Sequence, residues 1–122
     1  MNRYLIVGFV VFILMGCSRT VDETEYPGDY VIEKSDVKNR IIVFANGKYK
    51  HRTESKGVVA IERDGYWDKD EFGGYKGITF KTFRFENGGG GGFWFVVPDR
   101  SWSGDIRLCI DVEESICFKK IK

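Results

Sequence analysis

The sequence predicts an all-β domain, a small antiparallel up-and-down barrel or meander of about eight strands, with a two-sheet sandwich as the alternative. Three observations carry this. From Gly28 onward the chain is a series of short runs rich in Val, Ile, Phe, Tyr and Thr, cut by Gly, Asn and Asp. No window of about a dozen residues there shows a helical apolar stripe. The composition is aromatic and glycine-rich, with 10 Phe, 6 Tyr, 3 Trp and 15 Gly against 2 Pro in 122 residues, which excludes a disordered or collagen-like chain. That length suits one domain.

Strands are expected near Asp29–Lys34, Arg40–Ala45, Lys48–Thr53, Gly57–Arg63, Gly77–Phe85, Phe93–Val97, Asp105–Asp111 and Ser115–Lys120, with a short extra one at Tyr66–Asp68. Asn46-Gly47 is the clearest turn, because a two-residue type I′ turn needs positive φ at both positions. It pairs Phe44 with Tyr49 and Ile42 with His51, and puts Ile42, Phe44 and Tyr49 on the core face. Lys48, Lys50 and Arg52 then face solvent. With Lys56 they form a basic edge of the kind that blocks strand addition. Asp64-Gly65 predicts a second turn. Ile78 and Phe80 share one face while Phe83 and Phe85 share the other, so a bulge is expected near Lys81-Thr82.

The last hairpin accounts for two of the three cysteines. With Cys109 opposite Cys117, Leu108 faces Phe118 and Ile110 faces Ile116, so the apolar and cysteine registers agree. A disulfide is expected there in an oxidising compartment, the alternative being two free buried thiols.

The N-terminus accounts for the third. A short basic start, Met1–Arg3, precedes the apolar run Tyr4–Met15, and no acid occurs before Asp22. This is the pattern of a secretory signal peptide. The run is shorter than the roughly 20 apolar residues of a membrane span. It ends Leu14-Met15-Gly16-Cys17, which resembles the lipobox of bacterial lipoprotein precursors, with Met15 a less usual residue at its position. The resemblance implies cleavage before Cys17, a diacylglycerol on its thiol and an acylated amine. No other cofactor is expected. Ser18, in place of Asp, implies by the same resemblance the periplasmic face of the outer membrane if the source is Gram-negative. The expected organisation is a signal peptide over residues 1–16, a lipidated cysteine and polar tether over 17–27, and a β domain over 28–122. The segments Asn46–Tyr49, Ile78–Phe85, Trp102–Asp111 and Ile116–Lys120 are similar to those of small bacterial envelope proteins with a lipocalin-like β core.

Charge excludes a nucleic-acid partner: 19 Lys and Arg stand against 18 Asp and Glu, without basic excess. A catalytic set is missing. His51 is the one histidine, and without neighbouring ligands it reads as a rim or partly buried structural residue. Ser101 and Ser103 do not stand in a nucleophile-elbow motif. Asp68–Gly73 lacks the oxygen ligands of a calcium loop, so no metal site is expected. The Gly88–Gly92 run is followed by no Gly-Lys-Ser or Gly-Lys-Thr, so it is not a phosphate loop. It reads as a loop beside aromatic anchors, and Phe93, Trp94 and Trp102 are the candidate contacts for a ligand or partner. The resulting expectation is a non-enzymatic, lipid-anchored module of the cell envelope. It would bind a small ligand or an envelope protein. The alternative is an inhibitor or immunity lipoprotein directed against a toxin or hydrolase.

Overall fold

The computed structural model describes residues 20–84, 92–111 and 116–122. The expected signal peptide, Cys17 and most of the Gly88–Gly92 run lie outside these residues. No helix among the described residues is long and apolar enough to cross a membrane.

The domain is all-β. Its strands are β1 (Gly28–Lys34), β2 (Val37–Val43), β3 (Lys48–Ser55), β4 (Val58–Phe72), β5 (Tyr75–Phe83), β6 (Gly92–Val96), β7 (Asp99–Arg100), β8 (Ile106–Asp111) and β9 (Ile116–Lys120). They form one antiparallel sheet in the order β6-β5-β4-β3-β2-β1-β9-β8-β7. The sheet curls into a half-barrel and is not a two-sheet sandwich. β6 and β7 are its edges, yet only Val97 and Pro98 separate them along the chain. Two residues bridge at most about 11 Å between flanking Cα atoms, so the edges converge at that end.

Alternation puts Tyr30, Ile41, Tyr49, Phe80, Leu108 and Phe118 inside the curl, all buried. Aromatic rings fill the centre. Tyr49 meets Phe80 edge-on at 5.1 Å, and Phe80 stacks on Trp94 at 5.3 Å. Such pairs add to the stabilisation from burial alone.

Several registers differ from the expected ones. The β2–β3 hairpin pairs Val43 with Tyr49 and Ile41 with His51, one residue away from the two-residue turn. The reason is a three-residue loop. Gly47 N–H bonds the Phe44 carbonyl at 3.3 Å and Phe44 N–H bonds the Lys48 carbonyl at 2.9 Å. Gly47 has positive φ and Asn46 does not, which is a type I turn closed by a glycine bulge. Ile41 and Val43 therefore take the core face, while Phe44 is exposed. Asp64-Gly65 makes no turn, and the expected Tyr66–Asp68 strand is the continuation of β4. Gly65 is there because the Tyr49 ring lies across it: a Cβ would stand 2.5 Å from that ring.

The bulge in β5 falls where it was expected. Register shifts between Lys81 and Phe83, and Thr82 takes a φ of 56°. In the last hairpin Cys109 pairs with Cys117 and Leu108 with Phe118, and a disulfide joins the two cysteines. Ile110, however, is bulged out, so that Asp111 rather than Ile110 faces Ile116. β7 is an addition, two residues held against the start of β8.

Candidate functional site

Strand direction defines two ends. The β1–β2 and β3–β4 turns, the C-terminal ends of β5 and β8 and the start of β9 lie at one. The N-terminal segment, the β2–β3 and β4–β5 turns and the C-terminus lie at the other.

The first end opens into a cavity of about 680 Å³. Its wall is apolar, made by Ile32, Val37, Phe83, Ile110, Ile116 and Phe118, with Asn39 and His51 as polar members and Lys34 and Ser35 at the rim. The register of β2 on β3 places Asn39 beside Thr53 and Ile41 beside His51. Asn39 Oδ1 accepts a hydrogen bond from Thr53 Oγ1 at 3.0 Å and lies 3.3 Å from His51 Nε2. The His51 ring stacks on Phe83 at 4.9 Å with an interplanar angle of 18°. His51 is 6% exposed, so it is a buried wall residue rather than a rim residue. A mostly apolar recess with a few convergent polar groups is the usual form of a small-molecule site.

The opposite end is sealed by the chain itself. Residues 20–27, expected in a free tether, instead pack on the domain. Asp22 caps a single 3₁₀ turn, Glu23–Glu25, and Glu25 returns the bond in a capping box. The Thr24 N–H at 3.0 Å holds the Asp22 carboxyl below its ordinary range. Tyr26 is 2% exposed, and its carbonyl accepts the Tyr30 hydroxyl at 2.6 Å. Arg100 Nη2 pairs with Glu25 at 2.7 Å, and Lys120 Nζ donates to the Glu25 carbonyl at 2.6 Å. Burial drives the Tyr30 phenol far above its usual range, with the Glu25 charge adding to the effect.

The three aromatic contact candidates are not brought together. Trp94 belongs to the core, against Phe80, Phe83 and Phe118. Phe93, its neighbour on edge strand β6, faces outward and is 69% exposed. Trp102 sits at the sealed end in the Ser101–Asp105 loop and is 91% exposed. Ser101 and Ser103 build that loop: their hydroxyls are 2.9 Å apart and Ser103 donates to Asp105 at 2.8 Å. Asp70 accepts from Thr79 Oγ1 and from the Glu71 N–H, both at 2.8 Å, which makes it a strand-end fastener. Sequence reasoning missed the mouth residues Val37, Ile110 and Ile116. Their signal was apolar character at strand ends, next to turns, where a filled barrel would be capped by polar residues.

Fold and mouth together define a class, a small all-β half-barrel with one sealed end and one apolar opening. Beyond that class, no family model matches the chain, and no match is found among curated proteins or solved structures.

Proposed function

We propose that this chain is a lipid-anchored lipoprotein of the bacterial cell envelope, a non-enzymatic module that binds a small apolar ligand in the mouth of its half-barrel. Cys17 carries the lipid, and two or three acyl chains anchor stably where one does not. The observation that carries the binding role is the apolar mouth. Val37, Ile110 and Ile116 stay 36%, 42% and 39% exposed around it, apolar surface that the fold leaves in contact with solvent. The one histidine is taken up in the wall, between Asn39 and Phe83. In a Gram-negative source the anchored face is the periplasmic side of the outer membrane.

Two measurements test this. Metabolic palmitate labelling should mark the wild type and not Cys17→Ser; equal labelling of both refutes the anchor. An anilinonaphthalene sulfonate dye should bind the folded domain and be displaced by free palmitate. Val37→Glu, which puts a charge into the apolar wall, should weaken the dye about tenfold. Unchanged dye binding in Val37→Glu refutes the mouth as the site. Reproducible capture of an envelope hydrolase with no ligand in the mouth would replace this reading with that of an inhibitor.

A further inference from the structure

We propose that the sealed end of the half-barrel is a membrane-facing surface that seats on the bilayer through Trp102, Tyr75 and Val97, so that the mouth opens away from the lipid. This rests on Cys17 being the anchor. Val21 already packs against the core, and Thr20 stands three residues after Cys17. Three residues reach at most about 11 Å. The acyl chains therefore enter the membrane next to the end on which residues 21–27 are docked, and the domain has little freedom to turn over.

The side chains at that end suit a lipid interface. The docked segment, the β4–β5 tip at Gly74-Tyr75 and the Val97–Arg100 crossing surround one recess of about 860 Å³. Tyr75 is 68% and Val97 42% exposed beside it. Trp102 follows two residues after Arg100, which both pairs with Glu25 and donates to the Gly104 carbonyl at 3.2 Å. The loop carrying Trp102 is held shut by Gly104 N–H to the Ser101 carbonyl at 2.9 Å and Ser101 N–H to the Asp105 carbonyl at 2.8 Å. The indole is thus displayed outward on a fastened loop. Trp and Tyr are the residues enriched at the headgroup level of membranes. Two acids of this end are paired with cations, Glu23 with Lys69 at 3.5 Å and Glu25 with Arg100, which lessens their repulsion from a lipid surface. Contact should therefore depend on the aromatic groups and little on anionic lipid.

The test uses the full chain, purified with its lipid and placed in phosphatidylethanolamine–phosphatidylglycerol vesicles with brominated acyl chains, which quench tryptophans at the interface. The mass of the N-terminal peptide first reports whether Cys17 is acylated. Trp102 is one of 3 tryptophans, and Trp67 and Trp94 pack inside, so roughly one third of the emission should be quenched, and Trp102→Phe should abolish the effect. A reporter at the mouth, Ser55→Trp in the Trp102→Phe chain, should remain unquenched. An acylated chain whose Trp102 is not quenched, or whose mouth reporter is, overturns the orientation and leaves the anchor standing. A chain without lipid on Cys17 overturns both.

Discussion

At the sealed end, residues 21–27 fold back and fill the barrel with Tyr26, whose carbonyl takes the buried Tyr30 hydroxyl. At the mouth, Val37, Ile110 and Ile116 line a recess of about 680 Å³ and remain half exposed. The same strands run through both ends with the same alternation, so local propensity does not separate them. The difference is what meets the inner face. One end receives a segment of its own chain, tied down by the Tyr30 hydroxyl on the Tyr26 carbonyl and by Arg100 and Lys120 on Glu25. The other presents apolar side chains to an open recess, an arrangement stability alone does not favour. Packing is concentrated at one end and the proposed binding site lies at the other, and the two should respond to different substitutions.

The largest expected effect is in the core between them. Phe80→Ala removes a fully buried ring that contacts Tyr49, Phe83 and Trp94, and should cost about 3–5 kcal/mol in denaturant unfolding. Ile116→Ala at the mouth should cost less than about 1 kcal/mol, because the side chain is already partly solvated, yet weaken the apolar dye severalfold. Similar losses of stability from both would erase the distinction between the ends.

Next is the disulfide. Cys109 and Cys117 close a loop with a sequence separation of 8, for which constraint of the unfolded chain contributes on the order of 2–3 kcal/mol. Ile110 and Ile116 flank the bridge, so Cys109→Ala with Cys117→Ala should loosen the mouth as well. Dye affinity should fall together with the unfolding midpoint. A double variant that loses stability and keeps full affinity would show that the bridge does not shape the site.

These contrasts bear on what the sequence made legible. The Cys109–Cys117 pairing was readable because apolar alternation and the cysteine positions agreed on one register, and the bulge near Lys81-Thr82 because the apolar alternation changes phase there. The β2–β3 register was not, since Asn-Gly serves a two-residue turn and also a three-residue loop with a glycine bulge, and only hydrogen bonding chooses between them. Gly65 was misread for a related reason: a glycine that makes room for a ring looks the same in sequence as one that makes a turn. The docking of residues 20–27 was hidden because a polar segment with one buried tyrosine has no periodic face. The mouth was hidden because its residues come from six strands far apart in the chain.

The sealed end should be the alkali-sensitive one. Burial raises the phenol pKa of Tyr26, Tyr30 and Tyr49 above the ordinary 10.0. In the unfolded chain these groups lose their protons near pH 10, while in the folded protein they keep them. The unfolded state then binds fewer protons, so stability is full below pH 10 and falls as pH rises beyond it. Tyr30→Phe leaves the Tyr26 carbonyl without its donor and should cost about 1–3 kcal/mol at neutral pH. It should also flatten the decline of Tm between pH 10 and 11, because one shifted phenol is gone. An unchanged alkaline slope would mean that Tyr30 ionises as freely in the fold as outside it.

The smallest expected effect separates the two ends from the outer face they share. Arg40 reaches Asp29 at 3.2 Å and Glu54 at 3.8 Å, Arg52 reaches Glu54 at 3.8 Å and Glu62 at 3.5 Å, and Lys50 meets Glu62 at 2.9 Å. This ladder crosses β1 to β4 on the solvent side, where such pairs are worth about 0.2–1 kcal/mol and are screened by salt. Glu54→Gln touches both arginines, so its cost should lie in that range at low salt and vanish near 1 M. The inner face is reached only through the backbone, so neither dye affinity at the mouth nor the alkaline slope of the sealed end should move. If Glu54→Gln changes either one, the curl of the sheet transmits strain from its outer face, and the two ends do not act independently.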